Sequence, residues 1–160
     1  MIFGRFTERA QVVLVEAQQE SQSFKHGYIG TEHVLLGILK ENGYAGQLLT
    51  NKGITIDKVK KMTEDYLGFG DDEISTGEML LTPRAKRLFD DSLEVARKYG
   101  QNFITPEHIL LSLINDGEGV AYAILTSCKA DINSMKDDLE KYNKLWYENA
   151  DQIADFLSSA

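Results

Sequence analysis

Ala10, Val13, Leu14 and Ala17 follow the spacing i, i+3, i+4, i+7, with mostly polar residues between them. That spacing draws one apolar stripe along a helix. Ala85, Leu88, Phe89 and Ser92 take the same spacing 75 positions later. A second helix is predicted from about Thr31 to Lys40, and its copy from Pro106 to Asn115. A third, short one spans about Ala45 to Leu49, with its copy from Val120 to Thr126. The fourth carries Ile56, Val59, Met62 and Tyr66, matched by Ile132, Met135, Leu139 and Tyr142. No segment alternates apolar and polar residues as a half-buried strand does.

The chain therefore contains itself twice. Phe6-Thr7-Glu8-Arg9-Ala10 falls on Leu81-Thr82-Pro83-Arg84-Ala85. Tyr28-Ile29-Gly30-Thr31-Glu32-His33-Val34-Leu35-Leu36 falls on Phe103-Ile104-Thr105-Pro106-Glu107-His108-Ile109-Leu110-Leu111. One extra residue in the second copy brings Gly43-Tyr44-Ala45 onto Gly119-Val120-Ala121 and Tyr66 onto Tyr142. Pro83 and Pro106 each follow a threonine, a favoured helix start because proline's missing N–H has no partner there anyway. By the repeat, Thr7 is also an N-cap, and Gly30 holds the cap position before Thr31. These features predict an all-α fold with a first repeat over 1–67 and a second over 81–145. An acidic, glycine-containing linker over 68–80 joins them. Residues 146–160, with Trp146, Ile153, Phe156 and Leu157, extend the last helix or add a short one.

Charge narrows the function. The 160 residues carry 17 basic and 25 acidic side chains, a formal charge of -8. Binding duplex nucleic acid requires a surplus of Lys and Arg to displace counterions, so that class is set aside, although a small positive pocket could still hold one phosphate. Cys128 is the single cysteine, which precludes an internal disulfide and suits a reducing cytoplasm. No apolar run approaches the length of a membrane span, and the first residues lack the plan of a signal peptide.

Glu32-His33 and Glu107-His108 are the obvious chemical candidates. As adjacent residues on a helix they point about 100 degrees apart, so they do not ligate one metal ion together. Both histidines read as buried imidazoles bonded to nearby backbone. Each glutamate stands in the first turn of its helix, where the dipole favours acid. It could also grip a guanidinium in bidentate fashion, with free N–H groups of helix starts holding an anion beside it. A ligand carrying both charges, such as a phosphorylated arginine, suits that arrangement. The first site so drawn is Glu32 with Thr7, Gly30 and Thr31. The second is Glu107 with Thr82 and Thr105. Thr7 and Thr82 are first of all caps. Arg9 and Arg84 read as a solvated or salt-bridged face, and Cys128 as a small buried hydrophobe. Phe3, Phe6 and Leu80-Leu81 staple the first helix of each repeat. No nucleotide-binding loop and no catalytic residue is recognised, and no cofactor or metal is expected.

Phe3-Gly4-Arg5-Phe6-Thr7-Glu8-Arg9-Ala10, Ile29-Gly30-Thr31-Glu32-His33-Val34-Leu35-Leu36-Gly37, Leu81-Thr82-Pro83-Arg84-Ala85-Lys86 and Asp116-Gly117-Glu118-Gly119-Val120-Ala121 together resemble the Clp repeat domain of ClpC-type HSP100 AAA+ unfoldases. The resemblance covers about residues 1–145. It implies two four-helix repeats related by a pseudo-twofold axis and packed as one unit. It also implies a role in receiving substrate proteins and adaptors such as MecA, and in passing substrates to an ATPase ring and through it to the ClpP peptidase. In that family the glutamate of Gly-Thr-Glu-His lies in a pocket for phosphoarginine, here Glu32 with Glu107 as its counterpart. The second motif departs from the family as Thr105-Pro106-Glu107-His108, which removes an N–H donor and adds bulk where glycine lets an anion approach. A fold of this kind without the pocket, serving only protein binding or ring assembly, is the alternative. A metal- or acid/base-dependent hydrolase using Glu32 and Glu107 is a third, disfavoured by geometry.

Overall fold

The computed structural model describes residues 2–71 and 80–159, with side chains of the last helix described as far as Asn149. A short 3-10 turn, Ile2–Arg5, precedes eight α-helices among the described residues. They are α1 (Glu8–Ser23), α2 (Thr31–Glu41), α3 (Tyr44–Asn51), α4 (Ile56–Leu67), α5 (Pro83–Lys98), α6 (Pro106–Asp116), α7 (Val120–Ser127) and α8 (Ile132–Ser159). Four helices fall in each repeat, as the periodicity predicts. Most of the linker, residues 72–79, lies outside the described residues. The final segment is no separate helix, because α8 continues unbroken to Ser159.

The caps follow from sequence. Thr7 accepts the Ala10 N–H at 3.2 Å, Thr82 that of Ala85 at 3.1 Å, and Thr105 that of His108 at 3.2 Å. Gly30 has no side chain to offer α2, so His33 reaches back and accepts the Gly30 N–H at 2.9 Å. His108 does the same for Thr105 at 3.0 Å. Histidine here fills the role that Glu or Gln fills in a capping box.

The core is built around α2 and α6. Every residue from Thr31 to Leu39 and from Pro106 to Ile114 is buried. Helices apolar on nearly all sides belong at the centre of a fold. The stripe Ala10, Val13, Leu14, Ala17 of α1 covers α2, and Ala85, Leu88, Phe89, Ser92 of α5 cover α6. Gly37 lets α1 approach closely, since a Cβ there would overlap the Val13 carbonyl. Its counterpart Ser112 tolerates the matching approach by donating its hydroxyl to the Leu88 carbonyl at 3.2 Å.

The two repeats join by their pre-helix segments. Phe6 bridges Ile104 and Ile29 bridges Leu81, each in parallel. Thr7 N–H donates to the Ile104 carbonyl at 3.0 Å, and Thr82 N–H to that of Ile29 at 3.0 Å. Each bridge sets the start of one helix from the first repeat beside the start of one from the second. Phe6 then drops into the core against Phe89, ring centroids 5.2 Å apart, with Phe3 edge-on to both. Leu81 is half-buried against the same core, whereas Leu80 stays exposed.

Candidate functional site

Two clefts lie where helix starts converge, and each is a composite of both repeats. The first, a cavity of about 240 Å³, is lined by Gly30, Thr31, Glu32, Thr82, Arg84 and Gly119, with Tyr28, Leu67 and Val120 beside them. Here the starts of α2, α5 and α7 meet. The second, about 200 Å³, is lined by Thr7, Arg9, Thr105, Glu107, Tyr142 and Trp146, with Gln101 and Asn143. Here α1 meets α6, and the start of α3 adjoins Glu107. The sequence grouping is thereby corrected on one point. Thr82, not Thr7, stands with Glu32, and Thr7 stands with Glu107 and Thr105. The cause is the pair of parallel bridges, which join α1 to α6 and α5 to α2.

In the first cleft Glu32 is 2% exposed, and among the described residues no arginine or lysine touches its carboxylate. Its neighbour His33, 3.8 Å away, is no cation, since burial and then the charge of His26 lower its pKa to about 3. Burial pushes the Glu32 pKa upward, opposed by a hydrogen bond from its own backbone N–H. The carboxylate lies folded over Gly30, and a Cβ at position 30 would overlap Oε1. Thr31 Oγ1 accepts the Ala121 N–H at 3.2 Å and so ties α7 to the site. The Thr82 oxygen accepts the Ala85 N–H, which leaves its own proton to donate. The N–H groups of Thr31 and Arg84 stand in first turns, where helix geometry gives them no partner within the helix. Pro83 removes one such donor from this cleft, as Pro106 does from the other.

Arg84 leans outward from the first cleft. It pairs with Asp116 at 2.7 Å and Glu118 at 3.3 Å, both partly or largely in solvent. Its counterpart Arg9 leans inward. Nη1 and Nη2 of Arg9 reach the two carboxylate oxygens of Glu107 at 3.0 and 2.9 Å, and Nη2 also reaches Glu41 at 2.9 Å. Burial would lower the Arg9 pKa, but hydrogen bonds to Glu107 and Glu41 outweigh it and raise it. Glu107 is fully buried and takes a further hydrogen bond from the Ala45 N–H at 3.0 Å. Both arginines are thus salt-bridged, but only Arg9 closes on a helix-start glutamate.

Behind the first cleft runs a histidine chain. Because His33 Nδ1 accepts from Gly30, its proton sits on Nε2 and is donated to His26 Nδ1 at 2.9 Å. His26 Nε2–H then donates to the Gly68 carbonyl at 2.8 Å, at the end of α4. In the second repeat the position of His26 is held by Gln101, and His108 is lowered to about 4 by burial, offset in part by the Phe103 backbone. Both histidines serve backbone, as their sequence context predicts. Among the described residues no three His, Cys, Asp or Glu side chains cluster as metal ligands. Cys128 is half-buried, its thiol 3.7 Å from the Met62 sulfur and pushed up in pKa by burial.

The family model described as the Clp repeat (R) N-terminal domain matches this chain over residues 5–105 and again over 80–152. The chain belongs to the Clp repeat N-terminal domain family. It is 44% identical over 142 residues to the ATP-dependent Clp protease ATP-binding subunit ClpC of Staphylococcus aureus (strain USA300), covering 88% of this chain. The ClpC of Staphylococcus epidermidis is 43% identical over the same length. The chain spans 17% of the length of these relatives. Among solved structures, the N-terminal domain of the chaperone ClpD from Arabidopsis thaliana superposes with a TM-score of 0.75 at 28% identity, covering 90% of this chain and 97% of that one. The Hsp104 N-terminal domain from Candida albicans shares the fold, with a TM-score of 0.67 at 14% identity, covering 84% of this chain and 88% of that one. The Clp repeat fold therefore accommodates wide sequence variation. Among the described residues no single helix of this Clp repeat domain is long and apolar enough to cross a membrane.

Proposed function

We propose that this Clp repeat domain docks substrate proteins and adaptors for a ClpC-type AAA+ unfoldase in the cytoplasm, and that it recognises phosphoarginine through Glu32. The observation that carries the reading is a buried carboxylate with no cation on it, set among three helix starts. A desolvated carboxylate without a partner is costly, and a ligand guanidinium offsets that cost through two parallel charge-assisted hydrogen bonds. A phosphoryl group on the same ligand then meets the Thr31 and Arg84 N–H groups, the Thr82 hydroxyl and the positive ends of the α2, α5 and α7 dipoles. Arginine alone satisfies only the carboxylate, and phosphoserine only the donors. Adaptors of the MecA kind, and hand-over through the ATPase ring to ClpP, complete the role by likeness to the family.

Calorimetric titration with free phosphoarginine, beside arginine and phosphoserine, tests this. Phosphoarginine is expected to bind, the other two are not, and Glu32→Gln is expected to abolish the binding. No heat at millimolar phosphoarginine would leave a module that binds proteins by surface contacts alone.

A further inference from the structure

The two clefts descend from one design, and they differ in what covers the glutamate. Four observations account for the difference. First, Gly30 leaves room for the Glu32 carboxylate to fold over its own helix start, where a Cβ would overlap it. At the equivalent position Thr105 carries a Cβ, and the Glu107 carboxylate instead faces Arg9 and the Ala45 N–H. Second, Arg84 has two acidic partners away from Glu32, namely Asp116 and Glu118. Third, the first repeat has no residue equivalent to Glu118, because the second copy is one residue longer in this turn. Arg9 has Glu41 as the counterpart of Asp116, and its second carboxylate is Glu107 itself. Fourth, the Arg9 side chain is 42% exposed while Glu107 is 0% exposed, so the arginine enters from the solvent side and covers a buried acid.

We propose that Arg9 is a resident ligand of the second cleft: its guanidinium occupies the seat on Glu107 that a ligand guanidinium takes on Glu32, and so closes that cleft to phosphoarginine. The proposal rests on the phosphoarginine reading for the identity of the excluded ligand, but not for the seat itself. The fork-to-fork geometry is the one by which arginine recognises a carboxylate between molecules. A competing guanidinium must displace an intramolecular one held in the first turn of α1, whose start the Thr7–Ile104 hydrogen bond sets beside α6, and effective concentration favours the tethered group. Tyr142, which stacks on Tyr44 at 4.2 Å between centroids, lies beside the Arg9 guanidinium and walls it in. Of the two helix-start clefts, one thus keeps its glutamate seat open and the other has it filled from within.

Trp146 is the single tryptophan of the chain, and it lines the second cleft only. Its fluorescence therefore reports that cleft, while calorimetry counts both. The native domain is expected to bind one phosphoarginine, lost with Glu32→Gln, with no response from Trp146. Arg9→Ala is expected to gain a second site, at least tenfold tighter than any residual second site of the native domain. That site should move the Trp146 signal and disappear with Glu107→Gln. Should Arg9→Ala not fold, Arg9→Lys removes the fork while keeping the charge, and the same gain is expected in weaker form. Two equal sites in the native domain, or no second site in either variant, would overturn the proposal. If the native domain binds no phosphoarginine at all, ethylguanidinium serves as the probe. It should raise the melting temperature of Arg9→Ala above any effect on the native domain, and equal effects on the two proteins would overturn Arg9 as a resident ligand.

Discussion

Gly30 and Glu32 are packed so closely that position 30 admits no side chain while the Glu32 carboxylate keeps its place. The backbone there, φ -101 and ψ 179, is open to any residue, so the requirement is one of space and not of conformation. Gly30→Ala is therefore expected to keep the fold and turn the Glu32 carboxylate away from the α2 start. Phosphoarginine affinity should fall by at least about tenfold, the equivalent of about 1.4 kcal/mol. Calorimetry reads the loss, and unchanged affinity would show that the folded-back carboxylate is not the binding form.

The crossed arrangement of helix starts gives a second expectation. Thr7→Ala and Thr82→Ala each remove an N-cap and should each cost about 1 kcal/mol in denaturant unfolding. Only Thr82→Ala should also weaken phosphoarginine binding at Glu32, because Thr7 lines the other cleft. Equal weakening by both would contradict the composition of the clefts.

Acid stability follows from His33 and His108. Near pH 7 they are neutral in both the folded and the unfolded chain. Below about pH 6.5 the unfolded chain takes up a proton on each, while the folded chain does so only near 3 at His33 and 4 at His108. The unfolded state then binds more protons, so stability falls with pH across that window, by about 1 kcal/mol per pH unit for each histidine. Glu32 acts with the opposite sign, since its raised pKa lets the folded chain bind a proton first. His108→Gln keeps an acceptor for the Thr105 N–H and removes one titration. Its unfolding free energy should therefore vary less steeply between pH 6.5 and 4, and an unchanged slope would contradict a buried neutral His108.

The aromatic trio Phe3, Phe6 and Phe89 ties the amino-terminal turn to the second repeat. Phe89 is fully buried, so Phe89→Ala should cost about 3–5 kcal/mol in unfolding free energy. A loss below about 1 kcal/mol, a typical surface effect, would show that the repeats are not held together there.

The eight helices and the caps of α1, α2, α5 and α6 were legible because each rests on local chemistry: a stripe such as Ala10, Val13, Leu14 and Ala17, or a threonine before a proline. The partners of each helix start were not. Comparing the chain with itself tells which residues are equivalent, as Thr7 is to Thr82, but carries no information on which are adjacent. Adjacency is set by the bridges Phe6–Ile104 and Ile29–Leu81, formed by residues that read as ordinary staples. The placement of Arg9 on Glu107 was hidden for the same reason, though one signal stood in the sequence. The extra residue of the second copy is Glu118, which with Asp116 pairs Arg84 away from Glu32. Tyr142 and Trp146 reach the second cleft from α8, far along the chain from the helix starts they serve.

Each cleft draws helix starts from both repeats, α2 with α5 and α7 in one and α1 and α3 with α6 in the other, and neither repeat holds a complete cleft. A chain of half this length would complete a cleft only against a second copy of itself, and such a dimer would carry two identical ones. Two repeats in one chain are free to carry different sites. Thr105 and Pro106 on one side, and Glu118 on the other, are differences that two identical chains could not hold.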